Sequence, residues 1–151
     1  MGLIEDLGHG RIGVDTAPFI YFIEEAPAYM PALVPLFRAA DQQHVELVTS
    51  AMTLLEVLVV PYRAGNLALA SRYEALLTRS RGVRVIDLTH DLLRRAAQLR
   101  AATGVGTPDA LQMAAALGAG CTAFVTNDRR LPDVQGLRIV QLGTYASPSN
   151  C

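Results

Sequence analysis

The chain has 151 residues, enough for one domain whose core needs neither disulfides nor a structural metal. Its hydrophobic fraction of 51% and net charge of −1 exclude a disordered chain and a globally basic nucleic-acid binder, leaving only a local arginine patch to meet a polynucleotide. All thirteen basic residues are arginines, so chemistry that needs a lysine as Schiff base, general base or phosphate clamp is excluded.

Met1–Gly10 reads as a loose lead-in. It lacks a charged start followed by an apolar core, so no signal peptide is expected, and Asp6 stands where a myristoylation motif needs Ser or Thr. Arg11–Val14 predicts a short strand that stops at Asp15. Thr16–Glu25 predicts a helix, with Pro18 in its first turn and Phe19, Ile20, Phe22 and Ile23 at helical spacing. Pro27 breaks it, and a second helix is expected over Pro31–Gln43. Phe19, Tyr21, Phe22 and Tyr29 make this region apolar, with core packing as the default role.

Val45–Thr49 predicts the second strand, and Ser50 caps a helix expected to end near Val60, at Pro61 and Tyr62. That helix holds the longest apolar run, Leu54–Pro61, which contains Glu56 and is too short to span a bilayer. Leu67–Arg79 predicts a helix with Leu69, Tyr73, Leu76 and Leu77 as its inner stripe, Val83–Ile86 a strand, and Thr89 or His90 to Ala102 a helix. The next segment, Thr107–Asp128, is expected to place Thr107 as N-cap, Pro108 in the first turn and an Ala-rich helix to about Ala119. Ala123–Thr126 returns as a short apolar strand, with Thr122 leading into it. A helix of about eleven residues rises about 16 Å and five strand residues return about the same length, so Asp109 and Asp128 finish at one edge. Leu137–Leu142 predicts a fifth strand and Ala146–Cys151 a polar tail.

Strands alternating with helices imply a single α/β domain over residues 1–151: a three-layer α/β/α sandwich around a mostly parallel sheet of four to five strands. Cys121 and Cys151 form no CxxC or Cys/His cluster, which argues against zinc and disulfides and fits a reducing, cytoplasmic setting away from membranes.

Ligands of such sheets bind outside the carboxyl ends of the strands. Four acids fall at or near that edge: Asp15, Glu56, Asp109 and Asp128. Asp15 also suits a helix cap, Asp109 the positive end of a helix dipole, and Asp128 a turn. Glu56 interrupts a helix that reads as apolar nearly all round, where a buried carboxylate is costly unless paired or bound to a cation. Clustered carboxylates raise one another's pKa, and with no lysine the natural counter-charge is a hard divalent ion. Amide replacement of any of the four is then expected to abolish chemistry while leaving or raising stability, since each change relieves repulsion.

The ordered segments Val14-Asp15-Thr16-Ala17, Ser50 to Glu56, Thr107-Pro108-Asp109-Ala110-Leu111 and Val125-Thr126-Asn127-Asp128 resemble the PIN domain. More closely they resemble the VapC-type toxins of bacterial type II toxin–antitoxin systems, over about residues 11 to 142. The resemblance implies a metal-dependent endoribonuclease whose products carry 5′-phosphate and 3′-hydroxyl ends. It implies that Asp15, Glu56, Asp109 and Asp128 hold one or two Mg²⁺ or Mn²⁺ ions, with Thr16, Thr126 and Asn127 as supporting polar residues. It further implies an RNA substrate, a cognate antitoxin and a homodimer, and gives the aromatic region of Phe19, Tyr21, Phe22 and Tyr29 a second role as a dimer or antitoxin groove. Many relatives place another acid near the last motif; here Asn127 precedes Asp128, and Arg129 and Arg130 follow as candidate phosphate contacts. The alternative is a catalytically silent PIN-like module that binds protein or RNA. A phosphatase of the haloacid dehalogenase type needs Asp-x-Asp and a later lysine, and Asp15-Thr16-Ala17 in a chain without lysine meets neither demand.

Overall fold

The computed structural model describes residues 2–148. In chain order it has α1 (Leu3–Leu7), β1 (Gly10–Val14), α2 (Thr16–Ile23), α3 (Met30–Asp41), β2 (Val45–Ser50) and α4 (Ala51–Arg63). Then follow α5 (Leu67–Arg79), β3 (Val83–Ile86), α6 (His90–Thr103), α7 (Thr107–Gly118), β4 (Ala123–Thr126), β5 (Arg138–Gln141) and a 3-10 turn, Leu142–Tyr145. The last three residues of the expected polar tail, Cys151 among them, lie outside the described residues.

The sheet order is β3-β2-β1-β4-β5, and every pairing is parallel. This is the three-layer α/β/α arrangement with five strands. β1 is central, pairing Ile12 with Leu47 on one side and with Ala123 on the other. The chain winds outward from β1 to β3, then returns to β4 on the opposite side of β1. Such a reversal opens a crevice at the carboxyl ends of the two diverging strands.

Strand side chains alternate between two separate cores, as a period of two requires. Ile12, Val14, Leu47 and Val125 join Leu3, Phe19, Leu33, Leu36, Tyr73 and Leu77 on the face covered by α1, α2, α3 and α5. Val48 and Phe124 join Leu92, Ala96, Leu111, Met113 and Ala114 on the face covered by α6 and α7. α7 is the most enclosed helix: Ala110 through Ala116 are all buried. It can lie so close because Gly13 of β1 has no side chain; a Cβ there would stand 2.7 Å from that of Ala116.

Three local expectations change. The lead-in is not loose throughout, since Leu3–Leu7 forms a short helix with Leu3 buried in the first core. Pro61 does not end its helix: α4 continues to Arg63 with Pro61 buried inside it. Proline at this position removes the one backbone bond that residue 61 would donate to the Val57 carbonyl, and the helix continues for only two residues more. The N-cap of α7 is Gly106, and Thr107 sits in the first turn, where its hydroxyl accepts from Arg100 Nη1 at 3.0 Å. Among the described residues no helix is long and apolar enough to cross a membrane.

Candidate active site

Asp15 leaves the end of β1 and caps α2, its carboxylate accepting from the Thr16 N–H at 2.8 Å. Its own N–H donates to the Val125 carbonyl at 2.9 Å, which pins this turn against β4. The other carboxylate oxygen accepts the Thr126 hydroxyl at 2.7 Å. Thr126 is fully buried, and its hydroxyl oxygen accepts from the Asp128 N–H at 3.1 Å. The two strands flanking the crevice are therefore tied acid to acid through one threonine.

Burial pushes the Asp15 pKa above its ordinary value; the hydrogen bonds from Thr126 and Thr16 oppose this, and the Asp128 charge adds to it. Asp109, in the first turn of α7, is also pushed up. Burial is the main cause, and the charges of Asp15, Asp128 and Glu56 add to it, while Arg130 works against them. Asp109 therefore feels the other three acids at once. Asp128 is held below its ordinary value by Arg130, whose Nε and Nη2 reach its carboxylate at 3.0 and 3.1 Å and whose backbone N–H adds a bond at 2.9 Å. Asp109, Asp128 and Arg130 border a cleft of about 430 Å³ that continues along Gly104–Gly106 to Leu131 and Pro132.

Glu56 corrects the sequence reading. It is exposed, because α4 buries only Thr53, Val57 and Pro61, while Leu55, Val59, Val60 and Tyr62 face outward. The cost of a buried carboxylate therefore does not arise. What places Glu56 is the Thr16 hydroxyl, which donates to its Oε1 at 3.0 Å.

Asn127 turns away from the acids. Its amide donates to Tyr21 and Tyr29, whose rings stack at 4.3 Å. Arg129 is exposed beside Arg130. Arg84 pairs with Glu46, Arg94 and Arg95 pair with Asp91, and Arg100 clamps the Val105 carbonyl just ahead of α7.

Among the described residues no three His, Cys, Asp or Glu side chains stand close enough to form a ready-made metal cage. The donor chemistry nevertheless suits a hard divalent ion. The groups are carboxylate oxygens, two of them with pKa values raised by burial and mutual repulsion, the condition that a cation relieves.

A family model described as the PIN domain matches residues 12–137. The chain belongs to the PIN-domain family. No curated protein matches its sequence at significance. Among solved structures, this PIN domain superposes on VapBC2 from Rickettsia felis bound to a promoter DNA fragment, with a TM-score of 0.65 and 17% identity over 87% of this chain and 98% of that one. A toxin–antitoxin complex from Klebsiella pneumoniae gives a TM-score of 0.64 and 20% identity over 87% and 97%. VapC20 of Mycobacterium tuberculosis, described as a sarcin–ricin loop cleaving toxin, gives 0.59 and 19% over 76% and 86%.

The sequence reading missed one participant in this PIN domain. Gln112 is 1% exposed on α7 and hydrogen-bonds Thr16, Thr49, Ser50 and Thr53. The signal was available: a lone amide inside the apolar run Ala110–Ala116 raises the same question as a lone carboxylate in α4.

Proposed function

We propose that this PIN domain is a divalent-metal-dependent endoribonuclease acting in the cytoplasm as the toxin of a toxin–antitoxin pair. The observation that carries the reading is the meeting of acids at the crevice between β1 and β4, where Thr126 links Asp128 to Asp15 and the Asp109 carboxyl, pushed up chiefly by burial, also feels the charges of Asp15, Asp128 and Glu56. Asp15, Glu56, Asp109 and Asp128 would hold Mg²⁺ or Mn²⁺. When bound, the ion supplies a water activated for attack on phosphorus and offsets charge on the phosphodiester. Thr16 and Thr126 orient carboxylates by donating to Glu56 and Asp15. Arg130 neutralises Asp128 from an exposed position on the lining of the cleft, which supports a role for it, with its sequence neighbour Arg129, in taking an RNA phosphate.

The toxin role draws support from the likeness to chains of toxin–antitoxin assemblies. For the antitoxin, the favoured surface is an apolar groove of about 500 Å³ lined by Phe22, Met30, Val34, Phe37 and Leu76, with Arg38 and Arg81 beside it. Of the aromatic residues suited to either role, Phe19 is core and Phe22 opens onto this groove. For the homodimer, the exposed strip Leu55, Val59, Val60 and Tyr62 of α4 is the supporting feature.

The test is cleavage of structured and single-stranded RNA by purified, partner-free protein with Mn²⁺, with EDTA and Asp109→Asn as controls. Cleavage that needs both the ion and Asp109 supports the reading. Normal Mn²⁺ binding without cleavage of any RNA would sink it in favour of a silent binding module.

A further inference from the structure

Gln112 donates and accepts with its whole amide in a place closed to water, and the directions of those bonds can be worked out. The Ser50 N–H lies 2.9 Å from one end of the amide, and a backbone N–H can only donate. That end is therefore the oxygen. Thr49 Oγ1 lies 3.1 Å from the same oxygen and must spend its single proton there. The 2.6 Å contact between Thr49 and Thr53 then runs from Thr53 to Thr49. Thr53, its proton spent, accepts one N–H of the Gln112 amide at 2.5 Å. The second N–H points to Thr16 Oγ1 at 3.2 Å.

Thr16 thus accepts from Gln112 and keeps its own proton to give. Two oxygens are in reach: Thr53 Oγ1 at 3.2 Å and Glu56 Oε1 at 3.0 Å. The carboxylate is nearer and charged, and takes the stronger bond. A second chain runs in parallel on the other strand, from the Asp128 N–H through the Thr126 hydroxyl to Asp15. In each chain a backbone N–H, which cannot reverse, ends in a hydroxyl aimed at a carboxylate.

We propose that Gln112 is a positioning residue that makes Thr16 a donor to Glu56 and so sets where that exposed carboxylate stands. The inference rests on the role given to Glu56 above. It also separates neighbours that a merely structural network would treat alike. Thr16 lies on the route to Glu56, whereas Thr53 lies on the branch that ends at Thr49.

The experiment measures Mn²⁺ affinity by calorimetry and the Glu56 side-chain position in metal-free crystal structures, for wild type, Gln112→Met, Thr16→Val, Thr53→Val and the double variant Gln112→Met/Thr16→Val. Thr16→Val and Gln112→Met are expected to weaken Mn²⁺ binding about tenfold, the usual cost of losing a group that orients a ligand. Thr53→Val is expected to lower the melting temperature yet leave Mn²⁺ affinity within about twofold. The double variant should bind no more weakly than Thr16→Val, because Gln112 acts through Thr16. Wild-type affinity in folded Gln112→Met, equal losses in Thr53→Val and Thr16→Val, or multiplying losses in the double variant would each overturn the inference. If Gln112→Met does not fold, the two threonine variants decide it. Absence of Mn²⁺ binding by wild type would defeat the proposed function instead. The metal-free structures then judge the inference alone: Glu56 should leave its place in Thr16→Val and keep it in Thr53→Val.

Discussion

Gly13 is where the central strand and α7 come closest, and filling it tests how the whole site is seated. Its neighbours Ile12 and Val14 point into the first core, so a side chain at 13 would face α7. A methyl group there would lie 2.7 Å from Ala116 Cβ and 2.8 Å from Phe124 Cδ1. Both distances are roughly 1 Å inside ordinary carbon–carbon contact. Ala116 has no rotamer to change, and Phe124 is 1% exposed in a packed core. The helix must lift or the strand must bow. Overpacking of this kind costs about 1–3 kcal/mol. Against it stands about 0.4–1 kcal/mol gained by removing glycine's freedom in the unfolded chain. Taken at mid-range the balance is a loss of about 1.3 kcal/mol, which lowers the melting temperature by roughly 3–5 °C at this chain length.

Thermal unfolding of Gly13→Ala measures this directly, and a cycle with Ala116→Gly shows whether the named contact is responsible. Ala116→Gly alone should cost about 1 kcal/mol as a helix glycine. In the Gly13→Ala background it should cost much less, because it removes the 2.7 Å clash. A wild-type melting temperature for Gly13→Ala, or strictly additive effects, would refute the close seat of α7 on β1. The same lift displaces Asp109, so RNA cleavage should fall at temperatures where the variant remains folded.

The pKa shifts give the acids opposite signs in stability. Asp109 is raised in the folded state, so the fold binds its proton more tightly than the unfolded chain does. Stability then falls as pH rises from the ordinary carboxylate value through the raised one, and Asp109→Asn should be more resistant to urea than wild type at pH 7 but equal to it below about pH 3. Asp128 is lowered by Arg130, so its contribution is present above the ordinary carboxylate value and disappears as pH falls through the lowered one. The expectation that amide replacement leaves or raises stability is thus reversed at this position: Asp128→Asn should melt below wild type at pH 7. Arg130→Met should bind Mn²⁺ more tightly and RNA more weakly, since Arg130 is the cation now paired with Asp128; the reverse pattern in calorimetry would remove it from the phosphate role. Burial pushes the Cys121 thiol up to about 11, so peptide mapping should find it unalkylated after iodoacetamide treatment of native protein at pH 8 and alkylated after denaturation.

The layered fold was legible because its signals were local and repeated. Leu67–Arg79, Val83–Ile86 and Ala123–Thr126 have the bounds that apolar spacing and punctuation imply. Once the sheet is parallel, Asp15 and Asp128 must emerge at one edge, whatever the details of packing. Features held by tertiary contact were not legible. Leu3–Leu7 is too short for helical periodicity to register, and it owes its form to Leu3 in the core. Thr107-Pro108 has the composition of a cap followed by a first turn, but Arg100 takes the Thr107 hydroxyl and Gly106 becomes the cap.

Glu56 is the instructive failure, because the residue was singled out for a reason that the fold removes. An apolar run around a carboxylate implies burial only if the helix is covered on all sides, and the outer face of α4 is not. Leu55 and Val60 are 60% and 63% exposed, so the apolar residues themselves are the anomaly, and Glu56 stands among them without a desolvation cost. The two explanations differ in what Glu56→Gln should do. A buried, uncompensated carboxylate would yield a clear gain in stability on neutralisation. An exposed one held by a single hydroxyl should change stability by no more than about 0.5 kcal/mol, since glutamine keeps the oxygen that accepts from Thr16. Mn²⁺ affinity and RNA cleavage should both drop, because what is lost is negative charge at the crevice. Urea unfolding beside calorimetry separates the cases: a large stabilisation restores the burial argument, and unchanged Mn²⁺ affinity takes Glu56 out of the site.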